Sequence, residues 1–178
     1  MSEPEVLLVA SRFKVVREFQ KTSEGSRPRE IVRHPGAVVV LPLLDDGRVC
    51  LIRNYRISVN QTLIELPAGT LEPGEVPIQN AERELIEETG YRATKFQRLH
   101  AFYLSPGILD ERMHLFLATG LTAGETAREA GEEIDNLVVP WDDAVQMAVD
   151  GRIQDAKSIV GLLLVDRLLR TGKIDPAR

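Results

Sequence analysis

Gly69-Thr70-Leu71-Glu72-Pro73-Gly74-Glu75-Val76-Pro77-Ile78-Gln79-Asn80-Ala81-Glu82-Arg83-Glu84-Leu85-Ile86-Glu87-Glu88-Thr89-Gly90-Tyr91 runs from a Gly- and Pro-rich loop into a helix. Pro77 suits the first helical turn, where a missing N–H costs nothing, and Gly90 suits the position just past the end. The spacing therefore predicts a helix between Pro77 and Gly90. At about 100° per residue, Glu84 and Glu88 lie nearly in line, and Glu87 sits one step round the same face. Ile78, Ala81 and Leu85 share a neighbouring face and are expected to pack on a sheet. Arg83 and Glu87 are four apart, so they can pair and hold that carboxylate in one rotamer.

Three carboxylates on one side of an anchored helix repel one another unless a cation neutralises them. Ligands that are all oxygen favour hard divalent ions, and Mg²⁺ typically bridges a few carboxylates to substrate phosphates. Gly69, Pro73 and Gly74 allow a tight backbone path that brings carbonyls close to such ions. The spacing and the ligand chemistry together suggest metal-assisted attack on a phosphate. A lone glutamate pair on a helix ordinarily means no more than a solvated face, so the reading rests on the whole stretch.

Outward from this helix the chain reads as mixed α and β. Upstream, Val6 to Val9 and Phe13 to Val16 read as strands, and Lys21 to Arg29, rich in Ser, Gly and charge, reads as a turn. Ile31-Val32 resumes a strand before Pro35-Gly36. Ala37 to Leu41 is a β-branched run typical of a strand buried on both faces. Asp45-Asp46-Gly47 is a hairpin turn, with Val49 to Ile52 returning from it. Downstream, strands are expected at Arg98 to Tyr103, Met113 to Ala118 and Leu137 to Val139. Helices are expected at Asp142 to Val149 and Ala156 to Arg170. No repeat or low-complexity tract divides the chain.

Composition narrows the function classes. The chain has 178 residues, with 22 Lys+Arg against 27 Asp+Glu and a net charge of -5. That charge disfavours nucleic acid as a partner, because phosphate neutralisation needs surplus cations. The longest apolar stretches, Gly36 to Leu44 and Ile159 to Val165, are too short to span a bilayer, so no membrane partner is expected. The acidic N-terminus lacks the order of a signal peptide, and the expected location is cytoplasmic. The one cysteine, Cys50, leaves no intrachain disulfide or multi-cysteine zinc site and sits in an apolar strand. His34, His100 and His114 lack metal-ligand spacing, Ser105 lacks a G-x-S-x-G setting, and no P-loop is present.

The stretch Gly69 to Tyr91 resembles the Nudix box at every fixed position, with Tyr91 in the final apolar place. Leu66-Pro67-Ala68-Gly69 ahead of it and Ser105-Pro106-Gly107 after it look like the ADP-ribose pyrophosphatase branch, which carries a proline about sixteen residues beyond the box. Arg29-Glu30-Ile31-Val32, Arg53-Asn54-Tyr55-Arg56 and Gly151 to Ser158 are also similar to that branch. The resemblance implies an α/β (α+β) Nudix fold, an α/β/α sandwich around a mixed sheet spanning 36–178. A small N-terminal β element, 1–35, would precede it and cross to a partner in a homodimer.

The resemblance also implies roles. Glu84 and Glu88 match the principal metal ligands, Glu87 an additional one, and the Ala68 carbonyl a backbone ligand. Glu75 matches a loop-supporting glutamate and Arg83 the arginine that orients the helix carboxylates. Arg56 matches a diphosphate contact, Arg29 and Glu30 match residues on the nucleoside side, and Glu111 matches a substrate-side glutamate. Phe13 is a candidate stacking surface whose equally good alternative is a core position. In the acidic loop Gly124 to Ile134, Glu132 matches the general base, with Glu133 its neighbouring alternative. The catalytic group is thus Glu132, Arg83 and Glu87, with Mg²⁺ or Mn²⁺ as cofactor. The implied reaction is hydrolysis of ADP-ribose to AMP and ribose 5-phosphate. The alternatives are another nucleoside diphosphate sugar, such as GDP-mannose, or a Nudix-fold module that senses a nucleotide without cleaving it.

Overall fold

The computed structural model describes residues 3–127 and 134–175. Three antiparallel strands come first: β1 (Glu5–Val9), β2 (Lys14–Thr22) and β3 (Gly25–Arg33), in the order β1-β2-β3. The expected turn over Lys21 to Arg29 shrinks to Ser23-Glu24, because Thr22 and Gly25 already pair across the strands. Polar composition is no bar to a strand when both sheet faces meet water and the charges pair across it. Arg17 bonds Glu30 at 2.9 Å, and Arg33 pairs with Glu18. This sheet is tied to the rest of the chain through Val32, whose N–H donates to the Ile108 carbonyl and whose carbonyl accepts from Asp110.

The main body has two sheets. β4 (Ala37–Pro42), β7 (Ala68–Thr70), β8 (Arg92–Tyr103) and β9 (Arg112–Thr122) form one, in the order β7-β4-β9-β8. β4 and β9 run parallel and the other neighbours antiparallel, so this sheet is mixed. β5 (Arg48–Arg56), β6 (Gln61–Glu65) and β10 (Ile134–Pro140) form the other, all antiparallel, in the order β10-β5-β6. The Asp45-Asp46-Gly47 turn therefore hands the chain from one sheet to the other, joined at a Leu43–Val49 bridge.

Alternation along β4 makes the sandwich, since successive strand side chains face opposite ways. Ala37, Val39 and Leu41 face a core shared with Ala144 and Met147 of α2 (Trp141–Val149) and Leu162 and Val165 of α3 (Ala156–Arg170). Val38 and Val40 face Ala81 and Leu85 on the other side. All six β4 residues are buried, as the β-branched run predicts. Helices thus cover both faces of a mixed sheet in an α/β/α sandwich. Among the described residues, no helix is long and apolar enough to cross a membrane.

The central helix departs from expectation in two ways. α1 (Pro77–Glu84) is α-helical, but Leu85–Thr89 is a π-helical turn that ends at Gly90 with φ 77°. Thr89 Oγ1 donates to the Leu85 carbonyl at 2.5 Å inside that turn, and the 100° spacing no longer holds between Glu84 and Glu88. Ile78 is 43% exposed instead of packed. It lies in the first turn, and the inward place there is taken by Asn80, which donates to the Thr70 carbonyl at 3.0 Å and to Glu75 at 2.7 Å.

Candidate active site

A cleft of about 540 Å³ opens where α1 and the π turn meet β7. Glu84, Glu87, Glu88, Arg83, Ala68, Arg56 and Glu111 all line it, so the fold gathers seven of the residues singled out by sequence. The volume lies within the range of small-molecule sites.

Arg83 organises the acidic wall. It bonds Glu87 at 2.7 Å, Glu84 at 2.9 Å and Glu75 through two contacts of 3.1 and 3.3 Å. Burial works against the Arg83 charge, but Glu75, Glu84 and Glu87 outweigh it and hold the guanidinium above its ordinary range. Burial likewise raises Glu75, yet Arg83 and the Glu72 N–H overcome it and keep this carboxyl below the usual carboxylate range. Glu75 also accepts from the Glu72 N–H at 3.0 Å, which closes the Pro73-Gly74 loop. Arg83 therefore does more than hold Glu87: it joins the loop to the helix.

Glu88 is only 4% exposed, and its Oε2 accepts from the Ala68 N–H at 2.9 Å. The π turn brings it there, since a widened turn is a common device at functional sites. Gly69 shows how tightly the loop and helix meet. A Cβ on it would lie 1.8 Å from both Cδ and Oε1 of Glu84. Gly69 is required because the Glu84 carboxylate occupies the space of a side chain. Gly69→Ala is expected to leave the melting temperature nearly unchanged, because the displaced atoms end a flexible chain. It is expected to lower kcat about 10²-fold, the usual effect of shifting a reacting group by roughly 1 Å. Steady-state kinetics beside a thermal melt checks both.

The donor set fits a hard divalent ion. Glu84, Glu87 and Glu88 offer oxygen alone, and Ala68 brings backbone beside them. In the structure Arg83 pairs with Glu84 and Glu87, and among the described residues no three His, Cys, Asp or Glu side chains are grouped closely enough to hold a metal ion. Mg²⁺ keeps several waters and takes only one or two carboxylates with substrate phosphates, so a full protein cage is no requirement for it.

The remaining predicted residues lie elsewhere. Arg29 lines a second cleft between β2, β3 and the Pro106 loop, where its Nε donates to Gln20 at 2.9 Å. Glu30 pairs with Arg17, which outweighs burial and lowers its pKa. Phe13 is 38% exposed, so it is no core residue, and it lines neither cleft. Within one chain, these three are not brought to the carboxylates. Glu132 and Glu133 lie outside the described residues.

Sequence reading missed Arg12, Glu65, Asp155 and Lys157. Arg12, in the β1–β2 connection, reaches the cleft lining, as do Asp155 and Lys157 from the start of α3. Glu65, buried at 1% exposure, lies beneath Arg56 and bonds it through both oxygens, at 2.7 and 2.6 Å. Glu65 did leave a signal. A charge inside Leu63-Ile64-Glu65-Leu66 must either face water or be paired, because an unpaired buried carboxylate is too costly.

The NUDIX domain family matches residues 32–160, which hold every residue lining the cleft except Ser11 and Arg12. This chain belongs to the Nudix family. It is similar to an ADP-ribose pyrophosphatase of Bacillus subtilis, 44% identical over 145 residues covering 80% of this chain and 78% of the relative. A methanol dehydrogenase activator of Bacillus methanolicus is 40% identical over 136 residues, 75% of this chain and 74% of that one. A GDP-mannose pyrophosphatase of Yersinia pestis is 34% identical over 153 residues, 79% of this chain and 77% of that one. Nudix hydrolases generally work with divalent metal ions, and the acidic wall of this Nudix pyrophosphohydrolase is of the oxygen-only donor type that suits such an ion.

Proposed function

We propose that this Nudix pyrophosphohydrolase cleaves the diphosphate bond of ADP-ribose, giving AMP and ribose 5-phosphate. The observation that carries the reading is the meeting of the acidic wall (Glu84, Glu87, Glu88) with the cationic Arg56 in one cleft, beside a 44% identical relative named for that substrate. Glu84, Glu87 and Glu88 with the Ala68 carbonyl would hold Mg²⁺ or Mn²⁺. Such an ion polarises phosphoryl oxygens and lowers the pKa of water. Arg83 keeps the carboxylates oriented, and Arg56 offsets charge on the diphosphate. Glu132 takes the proton of the water whose oxygen attacks phosphorus as the bridging P–O bond breaks.

The chain is proposed to act as a cytoplasmic homodimer. Val6, Leu8, Val9 and Phe19 are each more than half exposed on the N-terminal sheet, apolar area that a second copy would cover. Pairing of this kind offers Arg29, Glu30 and Phe13 a route to the partner's cleft. Arg29→Ala is then expected to raise KM with little change in kcat, and an unchanged KM would detach the N-terminal element from the site. A solution mass equal to one chain would refute the dimer.

GDP-mannose is the second reading, favoured by the Yersinia pestis relative. A non-catalytic sensing module is disfavoured by the complete set of box carboxylates. The deciding experiment is hydrolysis of a panel of nucleoside diphosphate compounds with Mg²⁺, reading released phosphomonoester. ADP-ribose is expected to give the highest kcat/KM; preference for GDP-mannose would reassign the substrate, and no turnover of any compound would refute the enzyme reading.

A further inference from the structure

Beneath the cleft lies a chain of charges that no box residue explains. Glu65, the last residue of β6, receives Nε and Nη2 of Arg56 at 2.7 and 2.6 Å. Its Oε2 also accepts from Lys157 Nζ at 2.6 Å, and Lys157 lies 3.0 Å from Asp155 Oδ1. Asp155 caps α3 by accepting from the Ser158 N–H at 3.0 Å, and the Ser158 hydroxyl accepts from the Leu66 N–H at 2.6 Å. Glu65 and Lys157 are 1% and 7% exposed, whereas Arg56 reaches the cleft.

The charges balance: Arg56 and Lys157 against Glu65 and Asp155. Pairs that bury Glu65 and Lys157 in this way contribute little net stability, since desolvation offsets most of their attraction. What they contribute is geometry. A free arginine loses much rotamer entropy when it grips an anion, and a bidentate carboxylate removes that freedom beforehand. Glu65 itself cannot swing, because Lys157 holds its second oxygen from the helix cap. Two of the five N–H donors of Arg56 are spent on Glu65, and three remain for an anion in the cleft.

We propose that Glu65, backed by Lys157, is a positioning residue that fixes the Arg56 guanidinium for the substrate diphosphate. The inference rests on the hydrolase reading of this cleft. Glu65 touches no substrate; it acts through Arg56.

The test is a double-mutant cycle on the full chain with the best substrate of the panel. Glu65→Gln keeps the shape but removes the charge and one acceptor oxygen. It is expected to raise KM roughly tenfold or more, with kcat changed less, since the Arg56 contact is made in ground and transition states alike. In an Arg56→Ala background the same substitution is expected to change kcat/KM less than about twofold, because its intermediary is gone. Equal losses in both backgrounds, or an unchanged KM, would overturn the proposal and leave a structural charge pair. If Glu65→Gln fails to fold, Glu65→Asp decides: it keeps the buried charge balance but is one methylene too short for the fork. A folded Glu65→Asp with raised KM supports the positioning role, and one with wild-type KM overturns it. Wild-type protein that cleaves nothing refutes the hydrolase reading instead.

Discussion

Replacing Glu84 or Glu88 by Gln is expected to lower kcat by about 10³-fold or more and to weaken divalent-ion binding in the same variants. The size follows from the chemistry assigned to the pair. Lewis-acid stabilisation by a bound metal is worth several kcal/mol, and each 1.36 kcal/mol is about tenfold in rate. Gln keeps the length of the side chain, and at position 88 its amide oxygen can still accept from the Ala68 N–H. The loss therefore reports the missing anion and not a collapsed loop. Glu132→Gln is expected to behave differently, with kcat down about 10²–10⁴-fold, as for a proton acceptor, and ion affinity kept. Kinetics paired with calorimetric ion titration separates the two patterns. Loss at Glu133→Gln with none at Glu132→Gln would move the base by one residue. Wild-type kcat in Glu84→Gln and Glu88→Gln would place the ion elsewhere.

Chelation is expected to reduce turnover to background, and Mg²⁺ or Mn²⁺ to restore it. The electrostatics of the cleft give the reason. Glu75, Glu84 and Glu87 set three carboxylates against the one guanidinium of Arg83, and Glu88 stands beside them on the Ala68 N–H. A diphosphate anion approaching this wall meets repulsion unless added cations intervene, and screening by monovalent salt does not supply directed ligands. The same ion should raise the melting temperature in a concentration-dependent way, because it binds the folded carboxylate wall and not the unfolded chain. Hydrolysis that persists in excess chelator would refute the metal reading. An unchanged melting temperature would show that the wall needs no further cation.

Much of the site was legible because its residues lie close together in sequence. Arg83 pairs with Glu87 as four-residue spacing requires, and Ala81 and Leu85 take the sheet-facing side. The box also marks Gly69, whose need for a missing side chain shows only in the 1.8 Å approach of Glu84. The π turn was not legible. A one-residue widening changes which carboxylate is buried without altering the order of polar and apolar residues. Ile78 was misplaced for a related reason: helical periodicity assigns a face, but how far the sheet extends beneath the first turn is a tertiary fact.

The sequence by itself determined a mixed α and β chain with a doubly buried strand at β4 and an acidic stretch beside Arg83, because strand runs and the order of charges are written in neighbouring residues. Its resemblance to the Nudix box implied the sandwich. Tertiary structure decided what stands around the acidic wall. Glu65 and Lys157 are 92 residues apart and meet only because α3 packs against the β6–β7 connection. Arg29 and Glu30, which the resemblance places on the nucleoside side of a site shared between two chains, lie within one chain on an exposed sheet beside Gln20 and Arg17. Contacts made across the fold depend on how elements pack, and no spacing along the chain encodes them.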